Sequence, residues 1–259
     1  MTTTTHGYAL SNAWELAQRR LELLAATHNA ASIRRAEALG VGPGWRCLEA
    51  GAGQGSFARW LASRVGPSGG VLAADVDVRL LEGLEAPNLE VREMDLETDA
   101  LPEAAFDLVH TRFLLMHLPT RDEVLRRLAA AVRPGGVLMI EEGGIHPIPA
   151  TSDGPYLEAW LAFHRMMRGA GVDTDWAWRL PERLDALALV DVGAEFEGEI
   201  FSGGSELAQL WSLSWLQVRD RIIAAGSTAE VVDAGRAALA DASRRFHGPA
   251  RVIAWGRRA

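Results

Sequence analysis

Leu48-Glu49-Ala50-Gly51-Ala52-Gly53-Gln54-Gly55-Ser56 decides the fold. The stretch leaves an apolar run, Arg46–Ala50, and opens a segment of helical spacing at Ser56. Glycines at such a junction let the chain turn tightly and let a ligand approach the backbone. They also leave the N–H groups of the helix start free. The spacing is Gly-x-Gly-x-Gly, whereas a dinucleotide pyrophosphate calls for Gly-x-Gly-x-x-Gly. A nicotinamide oxidoreductase is therefore disfavoured. About 20 residues beyond Gly55 stands Asp75, where a carboxylate can accept from ribose hydroxyls.

Working outward, strands and helices alternate. Strands are predicted at Arg46–Ala50, Val71–Asp75, Leu89–Glu93, Phe106–Thr111 and Val137–Glu141. Helices are predicted between them at Ser56–Val65, around Arg79–Leu84 and near Arg121–Val132, with Arg133-Pro-Gly-Gly136 as a stop. Alternation at this spacing implies βαβ units, and so an α/β, doubly wound, mostly parallel sheet. Apolar residues at three- to four-residue spacing make 8–40 a helical N-terminal segment. After Gly143 comes a proline-rich loop. It is followed by predicted helices at Tyr156–Gly169, 180–189, Glu206–Ala225 and Ala229–Phe246, and strands at Val190–Glu199 and Arg251–Gly256. We read a single domain: helices over 1–40, a ligand-binding core over 41–146, a helical insertion after strand five over 147–189, and the rest of the core over 190–259.

Composition narrows the chemistry. All 26 basic residues are arginine against 34 acids, for a net charge of −8. Without lysine there is no Schiff-base chemistry and no P-loop lysine. The acidic balance and scattered arginines argue against a nucleic-acid partner. The single cysteine, Cys47, reads as a buried inert thiol. No stretch approaches the 18 apolar residues of a membrane span, and the first residues lack the pattern of a signal peptide. A cytoplasmic protein with no membrane partner is expected, and a homodimer is left open.

Glu49, Asp75 and Asp95 all fall at carboxyl ends of predicted parallel strands, where open α/β sheets bind ligands. Three acids suit a ligand carrying positive charge, a ribose and an adenine amino group. They suit a polyphosphate poorly. S-adenosylmethionine, with its sulfonium and α-ammonium, fits the set. At this point the chain resembles the class I S-adenosylmethionine-dependent methyltransferases. The likeness is carried by Leu48–Ser56, Gly70–Asp75, Met94-Asp95-Leu96, Phe106–Val109 and Leu128 to Gly136, in order. The stretch Phe106–Pro119 and the ending Ala254–Arg257 are similar to an actinobacterial group acting on small molecules. The resemblance implies seven strands, the last antiparallel. It places Gly51, Ala52, Gly53 and Gly55 beside the methionine part, Asp75 on the ribose and Val76 beside the adenine. It puts Asp95 and Leu96 at the adenine amino group and face, and Thr111 and Arg112 near the methionyl group.

Methyl transfer from a sulfonium is an in-line displacement that needs alignment above all. A base is required only for a protonated nucleophile. The candidates are His117, after strand four, and His146, after strand five. His110 reads as a satisfied core histidine, His28 as a surface or hinge group, and Glu141 and Glu142 as groups that orient a histidine or substrate. The metal-dependent branch of the resembled family uses magnesium and a lysine, so no metal is expected. Trp160, Trp176, Trp178, Trp211 and Trp215, with Phe163, Met166 and Met167, are candidates for an apolar substrate cavity. Tyr8 and Trp14 are candidates to close over the cofactor. The expected activity is methyl transfer to an O or N atom of an apolar small molecule, a specialised metabolite. The alternative is a non-methylating cyclisation or rearrangement on the same fold.

Overall fold

The computed structural model describes residues 10–259. His6 and Tyr8 lie outside them. The first half holds five strands and three helices: a long α1 (Ala17–Ala38), then β1 (Arg46–Ala50), α2 (Ser56–Val65), β2 (Gly70–Asp75), β3 (Leu89–Glu93), β4 (Phe106–Arg112), α3 (Arg121–Ala131) and β5 (Val132–Gly144). The second half adds α4 (Ile148–Thr151), α5 (Gly154–Gly169), α6 (Leu180–Ala186), β6 (Leu189–Glu197), β7 (Ile200–Ser202), α7 (Glu206–Gln217), α8 (Arg219–Ala224), α9 (Ala229–Ala240), β8 (Arg245–His247) and β9 (Ala250–Arg258).

The main sheet has seven strands in the order β3-β2-β1-β4-β5-β9-β6. The pairs from β3 across to β5 are parallel, and β9 runs antiparallel to both of its neighbours. This is the doubly wound, mostly parallel sheet expected from the alternation, with the last strand reversed. Strands buried on both faces read as unbroken apolar runs, as in Val71–Ala74 and Val137–Ile140. Cys47 is fully buried, and burial pushes its thiol well up, so it is an inert packing group.

Helix α2 turns Phe57, Leu61 and Val65 onto one face of the sheet, against Cys47, Leu108 and Met139. On the other face α3 buries Val124, Leu125 and Leu128, beside Leu180 and Leu184 of α6. A third apolar cluster gathers α5, α7, α8 and α9 with Leu23 of α1, Met116 and Ile145. Met116 and Ile145 follow β4 and β5, so this cluster caps the carboxyl edge of the sheet.

Four expectations need correction. The helix around Arg79–Leu84 is a three-residue 3-10 turn at Val78–Leu80 followed by turns. Gly83 adopts φ +81° there, which a helix does not allow. β5 begins at Val132 instead of Val137, because Val132 pairs with Phe106 across a bulge. The last helix stops at Ala240, and Arg245–His247 instead pairs with Ile200–Ser202 as a small separate sheet. Finally, α1 starts at Ala17 and ends at Ala38, inside the predicted 8–40.

Candidate cofactor and transfer site

Parallel pairing sets the ends of β1, β2 and β4 side by side, with Ala50 level with Ala74 and Thr111. The chain then turns through Gly51, Gly53 and Gly55, at φ of +76°, +59° and +72°. The N–H groups of Gly51 and Ala52 both donate to the Ala74 carbonyl, at 2.8 and 3.0 Å, which anchors the loop to β2. Asp75 holds it from the same strand. Its Oδ2 accepts from Gly53 N–H at 2.8 Å and its Oδ1 from Asp77 N–H at 3.0 Å. Burial raises the Asp75 carboxyl, and these two N–H groups counter it. Asp75 thus shapes the glycine loop and still has lone pairs to offer a ligand.

Of the three glycines in this turn, Gly55 allows the least substitution. A Cβ there would lie 2.3 Å from Leu84 Cδ2 and 2.8 Å from Leu81 Cδ2, on a left-handed backbone. Both leucines are buried. Gly55→Ala is expected to lower folding stability by about 2–4 kcal/mol, the sum of left-handed strain and overpacking. Chemical denaturation measures it, and a loss below about 1 kcal/mol would count against this packing.

Glu49, the penultimate residue of β1, is buried, and its Oε2 has no hydrogen-bond partner. Burial pushes its carboxyl up to about 8. Arg112 and the Ala58 N–H oppose that rise, while Glu141 and Asp75 add to it. On β4, the Thr111 hydroxyl is likewise buried without a partner. Two orphaned buried oxygens beside a glycine turn fit a polar ligand that carries a cation. Beyond them, Val76 is 53% exposed, Leu96 is buried, and Asp95 is exposed with its Oδ1 accepting from Glu97 N–H at 2.9 Å.

Arg112 takes a role that sequence alone did not reveal. Its guanidinium donates to Ser32 Oγ at 2.9 Å and to Asn29 Oδ1 at 3.0 Å, both on α1. The Asn29 amide donates in turn to Ser56 Oγ at 3.1 Å, at the end of the glycine turn. Leu21 of α1 reaches the open side of Gly53. Helix α1 is therefore tied to both β4 and the glycine loop.

A buried ionic cluster lies beneath α1. His110 Nε2 meets Glu141 Oε1 at 3.0 Å, and Arg251 joins Glu141 at 2.8 Å and Glu197 at 2.5 Å. His110 is thus the satisfied core histidine expected, with Glu141 orienting it. His28 departs from the surface role expected. It is half-buried, stands edge-on to Phe113 at 5.1 Å, and is pushed down to about 3 by burial and by Arg251 and Arg112.

The two candidate bases sit in different surroundings. His117 closes the 3-10 turn Leu115–His117 after β4. Burial, then Arg20 and Arg121, hold its imidazole down at about 4. It is neutral at physiological pH and a weak base. His146 follows β5, is exposed, and stands edge-on to Trp178 at 5.6 Å. The five tryptophans do not share one cavity. Trp160, Trp211 and Trp215 cluster with Phe163 in the cap. Trp176 packs below, its indole N–H donating to Asp122 at 3.3 Å, and Trp178 lies over Gly144. Trp14 lies in the turns before α1, with no closing role visible. Among the described residues, no group of three or more His, Cys, Asp or Glu could hold a metal ion, and no helix is long and apolar enough to cross a membrane.

Known proteins are similar to this chain in sequence and fold. A family model described as a methyltransferase domain matches residues 11–182. The chain is 34% identical over 114 residues to the ubiquinone/menaquinone biosynthesis C-methyltransferase UbiE of Ectopseudomonas mendocina, covering 41% of this chain and 44% of that protein. It is 37% identical over 98 residues to methyltransferase str2 of Strobilurus tenacellus, covering 38% of this chain and 35% of that protein. The matched region thus spans less than half the length of these curated relatives. Among solved structures, the YcgJ protein of Bacillus subtilis superposes with a TM-score of 0.59 at 16% identity, over 90% of this chain and all (100%) of that one. A phosphoethanolamine N-methyltransferase of Haemonchus contortus, solved with phosphomonomethylethanolamine and S-adenosylhomocysteine, gives 0.55 at 17% identity, over 93% and 52%. At these identities the two structures establish the fold.

Proposed function

Since the chain belongs to the methyltransferase domain family, we propose that it binds S-adenosylmethionine at the ends of β1, β2 and β4. The methyl group goes to an O or N atom of an apolar small molecule of specialised metabolism, without a metal. The observation that carries the reading is the left-handed glycine turn flanked by Asp75 and by the orphaned oxygens of Glu49 and Thr111. Asp75 faces the ribose, Val76 and Leu96 border the adenine, and Asp95 takes its amino group. Glu49 accepts the ammonium. Arg112 acts through α1, which it pins over the loop.

When bound, the sulfonium supplies an activated methyl and a good leaving group, so the protein's work is alignment and exclusion of water. The apolar cap of Tyr156, Trp160, Phe163, Trp211 and Met116 supports an apolar substrate. His117, at the end of the turn that leaves β4, is the candidate for holding a substrate proton, and its low basicity favours an acceptor that is already acidic. The O or N acceptor and the specialised substrate rest on the likeness of Phe106–Pro119 to small-molecule enzymes.

Titration calorimetry with S-adenosylhomocysteine tests the reading. Wild type is expected to bind one equivalent, and Asp75→Ala to bind at least tenfold more weakly, through loss of a charge-assisted acceptor. Absence of binding in wild type, or equal affinity in Asp75→Ala, overturns it.

A further inference from the structure

Two adjacent glutamates stand near the end of β5, followed by Gly143 and Gly144, and both are fully buried. Glu141 belongs to the ionic cluster under α1. Glu142 points to the opposite face of the sheet, by the alternation of side chains along a strand. There its Oε1 accepts from Leu115 N–H at 2.7 Å and Leu114 N–H at 3.1 Å. Its Oε2 has no partner.

The segment it holds is Phe113–His117, the turn that leaves β4. Phe113 adopts φ +53°, a left-handed conformation that is uncommon for a bulky residue and needs its surroundings to enforce it. Its N–H donates to the Glu141 carbonyl at 2.8 Å, and its ring occupies the space that Gly143 leaves free, 3.4 Å from where a Cβ would stand. Leu114 then presses on the glycine loop, its Cδ2 lying 3.0 Å from where a Gly51 Cβ would stand. Met116 enters the cap cluster, and its carbonyl accepts from Asp173 N–H at 3.0 Å. His117 follows. Three consecutive residues of β5 thus shape one turn, and that turn joins the cofactor loop to the substrate cap.

We infer that Glu142 is a positioning residue for transfer: by accepting the Leu114 and Leu115 N–H groups it fixes the Phe113–His117 turn as the wall between the cofactor loop and the cap. The inference rests on the methyl-transfer reading. It assigns Glu142 no contact with the reacting atoms. Removing the acceptor leaves two buried N–H groups unpaired at a strained turn, so the turn opens and both Leu114 and His117 shift.

The test uses the full chain and S-adenosylhomocysteine. Glu142→Ala is expected to bind about tenfold more weakly, while Glu142→Gln, which keeps one acceptor oxygen, stays within about twofold of wild type. A second readout is the His117 imidazole, followed by proton NMR. It should titrate near 4 in wild type and Glu142→Gln and move toward its ordinary range in Glu142→Ala. A purely structural loss of stability would not select that histidine. Should Glu142→Ala fail to fold, the Gln variant and wild-type amide exchange at Leu114 and Leu115 decide the matter. Protected amides with wild-type affinity in the Gln variant support the inference. Unprotected amides, a Gln variant that loses affinity, or a folded Ala variant that binds like wild type with His117 unmoved, overturn it. Failure of wild type itself to bind would overturn the methyl-transfer reading instead.

Discussion

Replacing Arg251 with methionine is expected to cost about 3–5 kcal/mol of folding stability. Arg251 is nearly buried and bridges Glu141 to Glu197 while donating to the His28 carbonyl at 3.3 Å. Burial alone would push the Glu141 carboxyl up. The His110 hydrogen bond and then Arg251 overcome that and hold it at about 2. Without Arg251, a buried carboxylate keeps only the neutral His110 as a hydrogen-bond partner and the charge of Arg112 nearby, and under-compensated buried charge is the costly case. Because Glu141 is depressed from 4.5 to about 2, its contribution is fully present above about 4.5 and lost as pH falls through 2. Arg251→Met should therefore lose the acid-side slope as well as stability at neutral pH. The double variant Glu141→Leu/Arg251→Met should recover part of the loss, since a well-packed apolar pair removes the stranded charge. Urea denaturation at pH 7 and pH 3 measures all three proteins. A loss under about 1 kcal/mol in Arg251→Met would mean that the pair does not compensate the burial.

That cluster also marks where sequence reading stopped. The mostly parallel sheet and the glycine turn were legible because their signals are local: apolar runs of four or five residues, glycines at fixed spacing, and acids at strand ends. Glu49 and Asp75 came with them. The ties of α1 were not legible, since Asn29 and Ser32 meet Arg112 from 83 and 80 residues away, and Arg251 meets Glu141 across 110. Only folding reveals those partners. One local signal was available and only half used. Glu141-Glu142, set between Ile140 and Gly143, is a pair of acids in an otherwise apolar strand, and buried acids need partners. Alternation sends the first toward α1 and the second toward the β4 turn. The shorter errors have local causes too. Gly83 and Pro87 cut the helix expected before β3, and the Val132–Phe106 bulge lets β5 begin before a Pro-Gly-Gly that otherwise reads as a stop. The tryptophans misled because spacing along a helix does not say which side of a sheet the helix covers. Trp176 and Trp178 pack with the cluster under α3 and α6, apart from the cap cluster.

Cofactor binding near pH 7 is expected to release up to one proton per chain, from Glu49. The carboxyl is buried, its Oε2 lacks a partner, and burial raises it to about 8, so it is protonated at neutral pH in the free protein. A cation placed against it favours the carboxylate. Binding and deprotonation are therefore linked, and affinity should rise between about pH 6 and 8, by at most tenfold per pH unit, then level off. Calorimetry with S-adenosylhomocysteine in two buffers of different ionisation enthalpy counts the proton directly. Glu49→Gln should release none, show a flat profile in this range, and bind about 10- to 100-fold more weakly at pH 9, where wild type is already ionised. Stability moves in the opposite sense. With the folded pKa above the unfolded one, the native state holds the proton between about 4.5 and 8. Free-protein stability therefore falls as pH rises through that window, and less so in Glu49→Gln. Glu142, also raised to about 8, adds to the fall in stability. Its carboxyl faces the Leu114 and Leu115 N–H groups, so proton release that persists in Glu49→Gln and vanishes in Glu142→Gln would assign the proton to Glu142 instead. Ligand-linked proton release that survives both substitutions would move the cation from the Glu49 carboxyl to another acid of the edge, Asp75 being the first to test.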